Sequence, residues 1–135
     1  QNVSIPVIGN GDIYCIDNIK EMFDYTECDA VMIARAAQGN PWIFKEAKKF
    51  FNNKSYSNSP SLIEIAKICN EHLDLLINSR GQSIGMNLMR KHFSNYLKGF
   101  PGAAKFRQKL ITAKNFEMMK KELMIFEKYA TIYPE

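Results

Sequence analysis

No stretch of this sequence is apolar for anything near the roughly 20 residues that a membrane-spanning helix needs. Cysteine is scarce: Cys15, Cys28 and Cys69 make an odd number, and none stands in a CxxC or Cys/His ligand spacing. A disulfide framework is therefore excluded and a metal site is not expected; the three read as free thiols, small buried hydrophobes in a reducing cytoplasm. Histidine is limited to His72 and His92. Each lies beside an apolar stripe and reads as a partly buried structural side chain rather than a catalytic base. The start, Gln1-Asn2-Val3-Ser4, carries neither a methionine nor a signal-peptide pattern. The glycine-bearing stretch "GNGDIY" has Tyr14 where a dinucleotide fingerprint needs its third glycine. Asp12 and Asp17 fall on different expected elements and make no carboxylate dyad.

What is present is enough for one ordinary domain, or a small one joined to part of another: 135 residues, 46% hydrophobic, with a formal charge of +4. The pattern changes near residue 55. Before it, Ile5–Ile8 is expected as a strand, Ile16–Tyr25 as a helix, Ala30–Ile33 as a second strand and Pro41–Phe51 as a helix with Pro41 in its first turn. A β-α-β-α order implies parallel strands. The tract "NNKSYSNSPS", residues 52–61, is polar and turn-rich and reads as a linker. The division is thus 1–54 and 55–135.

After the linker the periodicity is helical. Leu62, Ile65, Ala66, Cys69, Leu73 and Leu76 form a 3.6-residue stripe, with Ser61 and Glu64 placed for a capping box and Gly81 beyond the end. Further helices are expected over Ile84–Lys98, Ala103–Thr112 and Phe116–Ile132, so the second part should be a small all-α bundle. The chain as a whole is expected to be mostly helical.

Charge is uneven. Residues 80–121 hold ten lysines and arginines and a single acid, Glu117. In the helix from Ile84, Asn87, Lys91, Ser94, Asn95 and Lys98 project to one side, while Met89, Phe93 and Tyr96 project to the other. One face can pack while the opposite face presents cations and amides, which is the electrostatic footprint of a polyanion binder. A merely solvated lysine face has the same pattern.

The two expected strands end alike, in Asn10-Gly11-Asp12 and in Ala34-Arg35-Ala36. Adjacent parallel strands would bring backbone N–H groups and one guanidinium to the same edge. That is the phosphate-binding arrangement after the last two strands of a (β/α)8 barrel, and Arg35 could grip a phosphate bidentately. Two ordinary strand-to-helix turns would read the same way.

Three segments together, "IPVIGNGDI", "CDAVMIARAAQGNPWIF" and "MRKHFSNYLKGFPGAAKFRQKL", resemble the carboxyl-terminal part of a bacterial-type tRNA-dihydrouridine synthase. The resemblance implies the last two βα units of a TIM-type barrel followed by a helical tRNA-binding domain. It implies FMN as cofactor, NADPH as electron donor and tRNA as substrate. It places FMN phosphate on Asn10, Gly11, Asp12, Ala34 and Arg35, with Ala34 standing where the family usually has glycine. It places tRNA against Arg90, Lys91, Lys98, Lys105 and Arg107. The family's catalytic cysteine lies further upstream and has no counterpart among the three here, so these residues alone should be inactive and should need the remainder of their barrel. Two other readings of the residues stay open: a stand-alone RNA-binding helical module, and a different phosphate-binding barrel enzyme with an oligomerisation tail.

Overall fold

Residues 8–10 and 30–32 pair as the two strands β1 (Ile8–Asn10) and β2 (Ala30–Met32), in parallel, with Ile8 opposite Ala30 and Asn10 opposite Met32. The computed structural model describes residues 3–52 and 59–134. It divides into two units, Gln1–Asn58 and Ser59–Glu135. Most of the expected linker, and the 54/55 boundary with it, lies outside the described residues.

The first unit runs β1, α1 (Ile16–Thr26), β2, a single 3-10 turn (Arg35–Ala37) and α2 (Ile43–Phe51). The apolar run 5–8 contributes only its last residue to β1, so the expected strand is displaced toward the glycine turn. Asp29 is the physical reason. Its carboxylate accepts the Val7 N–H at 2.7 Å, while Val7 O accepts the N–H of Asp29 and Ala30. The chain ahead of Ile8 is therefore tied to one side chain rather than continued as a ladder. The second strand stops at Met32 instead of Ile33. Helix α2 begins at Ile43, not Pro41, because Asn40-Pro41-Trp42 form a turn in which Asn40 O accepts from Ile43 N–H.

Ile13, Ile16, Ile19 and Ile43 are buried together, with Phe23, Val31, Ala47 and Phe50 packed around them. Neither Gly9 nor Gly11 adopts a positive φ. Space is what they supply. A Cβ on Gly9 would lie 2.9 Å from both Cys28 Sγ and Met22 Cγ, and one on Gly11 would lie 3.2 Å from the Met22 methyl. Helix α1 can press its methionine against the underside of the turn only because both positions are bare.

The second unit is helical: α3 (Leu62–Arg80), α4 (Gln82–Tyr96), α5 (Ala103–Thr112) and α6 (Phe116–Ile132). Ser61 caps α3 as expected: its hydroxyl accepts from Glu64 N–H, and the Glu64 carboxylate accepts from Ser61 N–H at 2.9 Å. Such a cap stabilises a helix by about 1 kcal/mol. Helix α4 starts two residues before the expected Ile84 and ends at Tyr96, since Gly81 alone separates it from α3. Helix α3 packs chiefly on α4 and also on α6; α5 packs on α4 and α6. Cys69, Leu73, Met89, Phe93, Leu110, Met119, Leu123, Phe126 and Ala130 are all fully buried. The architecture is thus mostly helical with a small two-stranded parallel sheet. Among the described residues no helix is long and apolar enough to cross a membrane.

Candidate functional site

In the first unit, the two strand ends meet at one open cleft of about 390 Å3. Asn10, Gly11, Asp12, Ala34 and Arg35 all line it, joined by Ile13 and Tyr14, so the five residues expected from sequence are brought together. Parallel pairing does this. Asn10 and Met32 are register partners, and the chain leaves both strands on the same side.

Several donors at this cleft lack main-chain partners. No backbone hydrogen bond among the described residues uses the N–H of Asp12, Ala34 or Arg35. Ala34 has φ −112°, so its methyl group does not force a left-handed backbone. Arg35 Nη2 pairs with the Asp12 carboxylate, and the guanidinium lies 5.7 Å from the Tyr14 ring centroid. The Tyr14 hydroxyl reaches the same carboxylate at 3.4 Å, and Tyr14 N–H donates to Asn18 Oδ1 at 3.2 Å. Sequence reasoning identified Arg35 but missed Tyr14 and Asn18, which hold the turn that carries its partner.

The helical unit carries most of the cations. Lys91, Lys98 and Lys105 are exposed, and no ion pair among the described residues involves them. Arg90 and Arg107 are placed differently. Arg90 Nη2 donates to Ala113 O at 2.8 Å, its Nη1 donates to Asn87 Oδ1, and its Nε is buried with no partner. Arg107 Nη1 donates to Leu97 O. Both guanidiniums thus tie main chain together. Two other lysines of the basic stretch are neutralised by acids just outside it, Lys109 by Glu122 at 3.1 Å and Lys120 by Asp74 at 2.6 Å.

His72 and His92 form a contact that sequence reasoning did not anticipate. Their rings lie 4.5 Å apart between α3 and α4, and His72 Nδ1 meets the Tyr96 hydroxyl at 3.2 Å. Burial lowers both imidazole pKa values, and for His92 the neighbouring His72 and Lys91 lower it further. Burial pushes the Tyr96 phenol and the Cys69 thiol each up to about 12. Folding therefore disfavours protonation of both rings. Since the folded pKa values sit below the unfolded value near 6.5, the unfolded chain binds more protons in acid. Stability is complete above that value and falls as pH drops below it toward the folded pKa values. Thermal melts from pH 7.5 to pH 5 should show a falling midpoint, and His92→Gln should flatten the decline. A decline identical in the variant would remove the pair as its cause. Among the described residues no group of three or more potential ligands is placed to hold a metal ion.

A dihydrouridine synthase family model matches residues 1–131 of this chain. A probable tRNA-dihydrouridine synthase of Mycobacterium leprae is 39% identical over 114 residues, covering 84% of this chain and 30% of the relative. tRNA-dihydrouridine synthase B of Pseudomonas aeruginosa is 40% identical over 107 residues, covering 79% of this chain and 32% of the relative. A probable tRNA-dihydrouridine synthase of Rickettsia conorii is 32% identical over 133 residues, covering 98% and 38%. The chain spans about a third of the length of these curated relatives.

Proposed function

The chain belongs to the dihydrouridine synthase family, and from that premise we propose that it is the carboxyl-terminal portion of a tRNA-dihydrouridine synthase, an FMN- and NADPH-dependent oxidoreductase of the cytoplasm. In this reading the first unit, Gln1–Asn58, holds the last two βα units of a (β/α)8 barrel, and the helical unit, Ser59–Glu135, binds tRNA. One observation carries the reading: both strand ends converge on a single cleft that combines unused amides with a guanidinium.

The residues present fit the phosphate end of FMN. Only Nη2 of Arg35 meets Asp12, which leaves Nη1 and Nε to hold phosphate oxygens. The N–H groups of Asp12, Ala34 and Arg35 add neutral donors, and Asn10 and Gly11 shape the turn that carries the first of them. Asp12 fixes the guanidinium, and Tyr14 limits its swing from one side. When bound, FMN supplies the hydride that reduces the uracil double bond, having been reduced by NADPH. The proton that completes the reduction comes from a cysteine outside these residues, so residues 1–135 alone are inactive. Lys91, Lys98 and Lys105 face the tRNA backbone; Arg90 and Arg107 contribute charge while bracing the main chain beneath.

The test is Arg35→Ala in the full-length enzyme. Loss of a charge-assisted phosphate bond, on the order of 1.5–3 kcal/mol, should weaken FMN retention by roughly ten- to 150-fold at limiting flavin. Equal flavin occupancy in variant and parent would refute the phosphate role.

A further inference from the structure

A second polar cleft, of about 310 Å3, lies within the helical unit, where the first turn of α4 faces the connection between α5 and α6. Gln82, Ser83, Asn87 and Arg90 line it from α4; Lys114 and Asn115 line it from the connection. None of the lining groups is acidic, and α4 has no acid in its first turn.

The polar groups there are committed in a particular way. The carbonyl oxygen of Asn87 already accepts from Arg90, and that of Asn115 accepts from Met118 N–H as the cap of α6. Both amides therefore retain their N–H2 donors for something else. Arg90 is fixed by Ala113 O, and its buried Nε has no partner. Lys114 is exposed and in no ion pair among the described residues. Two cations, two amides and the Ser83 hydroxyl thus converge, with each asparagine carbonyl already accepting one hydrogen bond. The positive end of α4 adds to the field but would not make a site without them.

We propose that this cleft is a phosphodiester-binding site that anchors one end of an RNA strand lying along α4. The proposal rests on the reading of the helical unit as RNA-binding, and deepens it. Asn87 begins the exposed stripe that continues through Lys91 and Ser94 to Lys98. From Asn87 to the end of α4 at Tyr96 the helix rises roughly 13 Å, and Lys98 follows just beyond that end, so the cleft stands at the head of a cationic track long enough for more than one phosphate. At its head the track changes from flexible lysine ends to a shaped pocket with a braced arginine. A polyanion meets there a donor set of fixed geometry rather than loose charge.

The test uses the full-length protein with Lys114→Gln and Ser83→Ala, two exposed positions without a packing role. tRNA affinity is measured from 0.1 to 0.5 M salt, beside Lys91→Ala plus Lys98→Ala. Losing one phosphate contact should lower the magnitude of the log–log salt slope by about 0.7–0.9 and weaken binding roughly five- to eightfold near 0.1 M salt. Lys114→Gln should do this with an unchanged melting temperature, and Ser83→Ala should weaken binding at constant slope. An unchanged affinity and slope in folded Lys114→Gln, while the Lys91/Lys98 pair still matters, would overturn the cleft and leave the RNA reading standing. If no variant and no parent binds tRNA, the RNA reading fails and the anchor fails with it. Titration with inorganic phosphate then shows what chemistry the cleft has. Saturable amide shifts at Gln82, Ser83 and Asn115, lost in Lys114→Gln, would identify a site for free phosphate instead of a strand anchor.

Discussion

Phe93→Ala should bring the helical unit close to unfolding. Phe93 is fully buried in the last turn of α4, where that helix meets its neighbours. Truncating such a side chain removes its transfer free energy and leaves a cavity, a loss of about 3–5 kcal/mol. The whole stability of a domain is only about 5–15 kcal/mol. For a unit of this size, each kcal/mol moves the midpoint by about 4–8 °C. The thermal midpoint of the helical transition should therefore fall by roughly 12 °C or more. Phe93→Leu, which keeps most of the volume, should cost far less. Lys91→Ala, two residues away on the opposite, exposed face of the same helix, should barely move it. A drop of only one or two degrees in Phe93→Ala would show that the core closes over the missing ring, contrary to the packing described.

Gly85 should be the least replaceable small residue in the unit. A Cβ built there would lie 2.9 Å from the backbone N of Ile77 and the backbone C of Leu76. Helix propensity alone favours alanine over glycine by about 1 kcal/mol, so an exposed site would be stabilised by the change. Here the neighbour is the main chain of α3, which cannot rotate aside as a side chain can. The two helices must separate, and their shared buried surface opens. We expect Gly85→Ala to be destabilising by about 1–2 kcal/mol despite its propensity gain, and Gly85→Val by about 3 kcal/mol or more. Thermal melts of both variants decide it. A stabilised Gly85→Ala would mean that α3 and α4 do not approach this closely.

The helical elements were legible because their signal is local and redundant. Leu62 to Leu73 repeats the apolar step along α3, and Ser61 and Glu64 mark its start independently. The strands were harder. Ile5 to Ile8 is apolar, but which residues join a parallel ladder is set by a partner more than twenty positions away. Asp29, reaching back to Val7, moved the strand by several residues. Pro41 misled for a related reason: a favourable first-turn residue was used in the turn before the helix. At the cleft, the glycines and Arg35 were visible as residue types. The role of Gly9 was not, since the atoms that need its space belong to Met22 and Cys28. Arg90 and Arg107 looked like two more surface cations. Their bonds to Ala113 O and Leu97 O span 23 and 10 residues, a distance over which charge pattern carries no information.

The connection between α4 and α5 has a consequence of its own. Arg107 holds Leu97 O, and the Tyr129 hydroxyl donates to Pro101 O at 2.9 Å. Phe100 stacks on Phe126 with ring centres 5.6 Å apart. A segment with two glycines and a proline would ordinarily fray on its own, at little free-energy cost. This one cannot open without releasing contacts to α5 and α6, so its exchange and cleavage are coupled to unfolding of the unit itself. The ordering entropy of the segment is lost once, during folding, rather than at each encounter with a ligand. Lys98 and Lys105, which flank it, are consequently carried on main chain whose spacing is settled by folding itself.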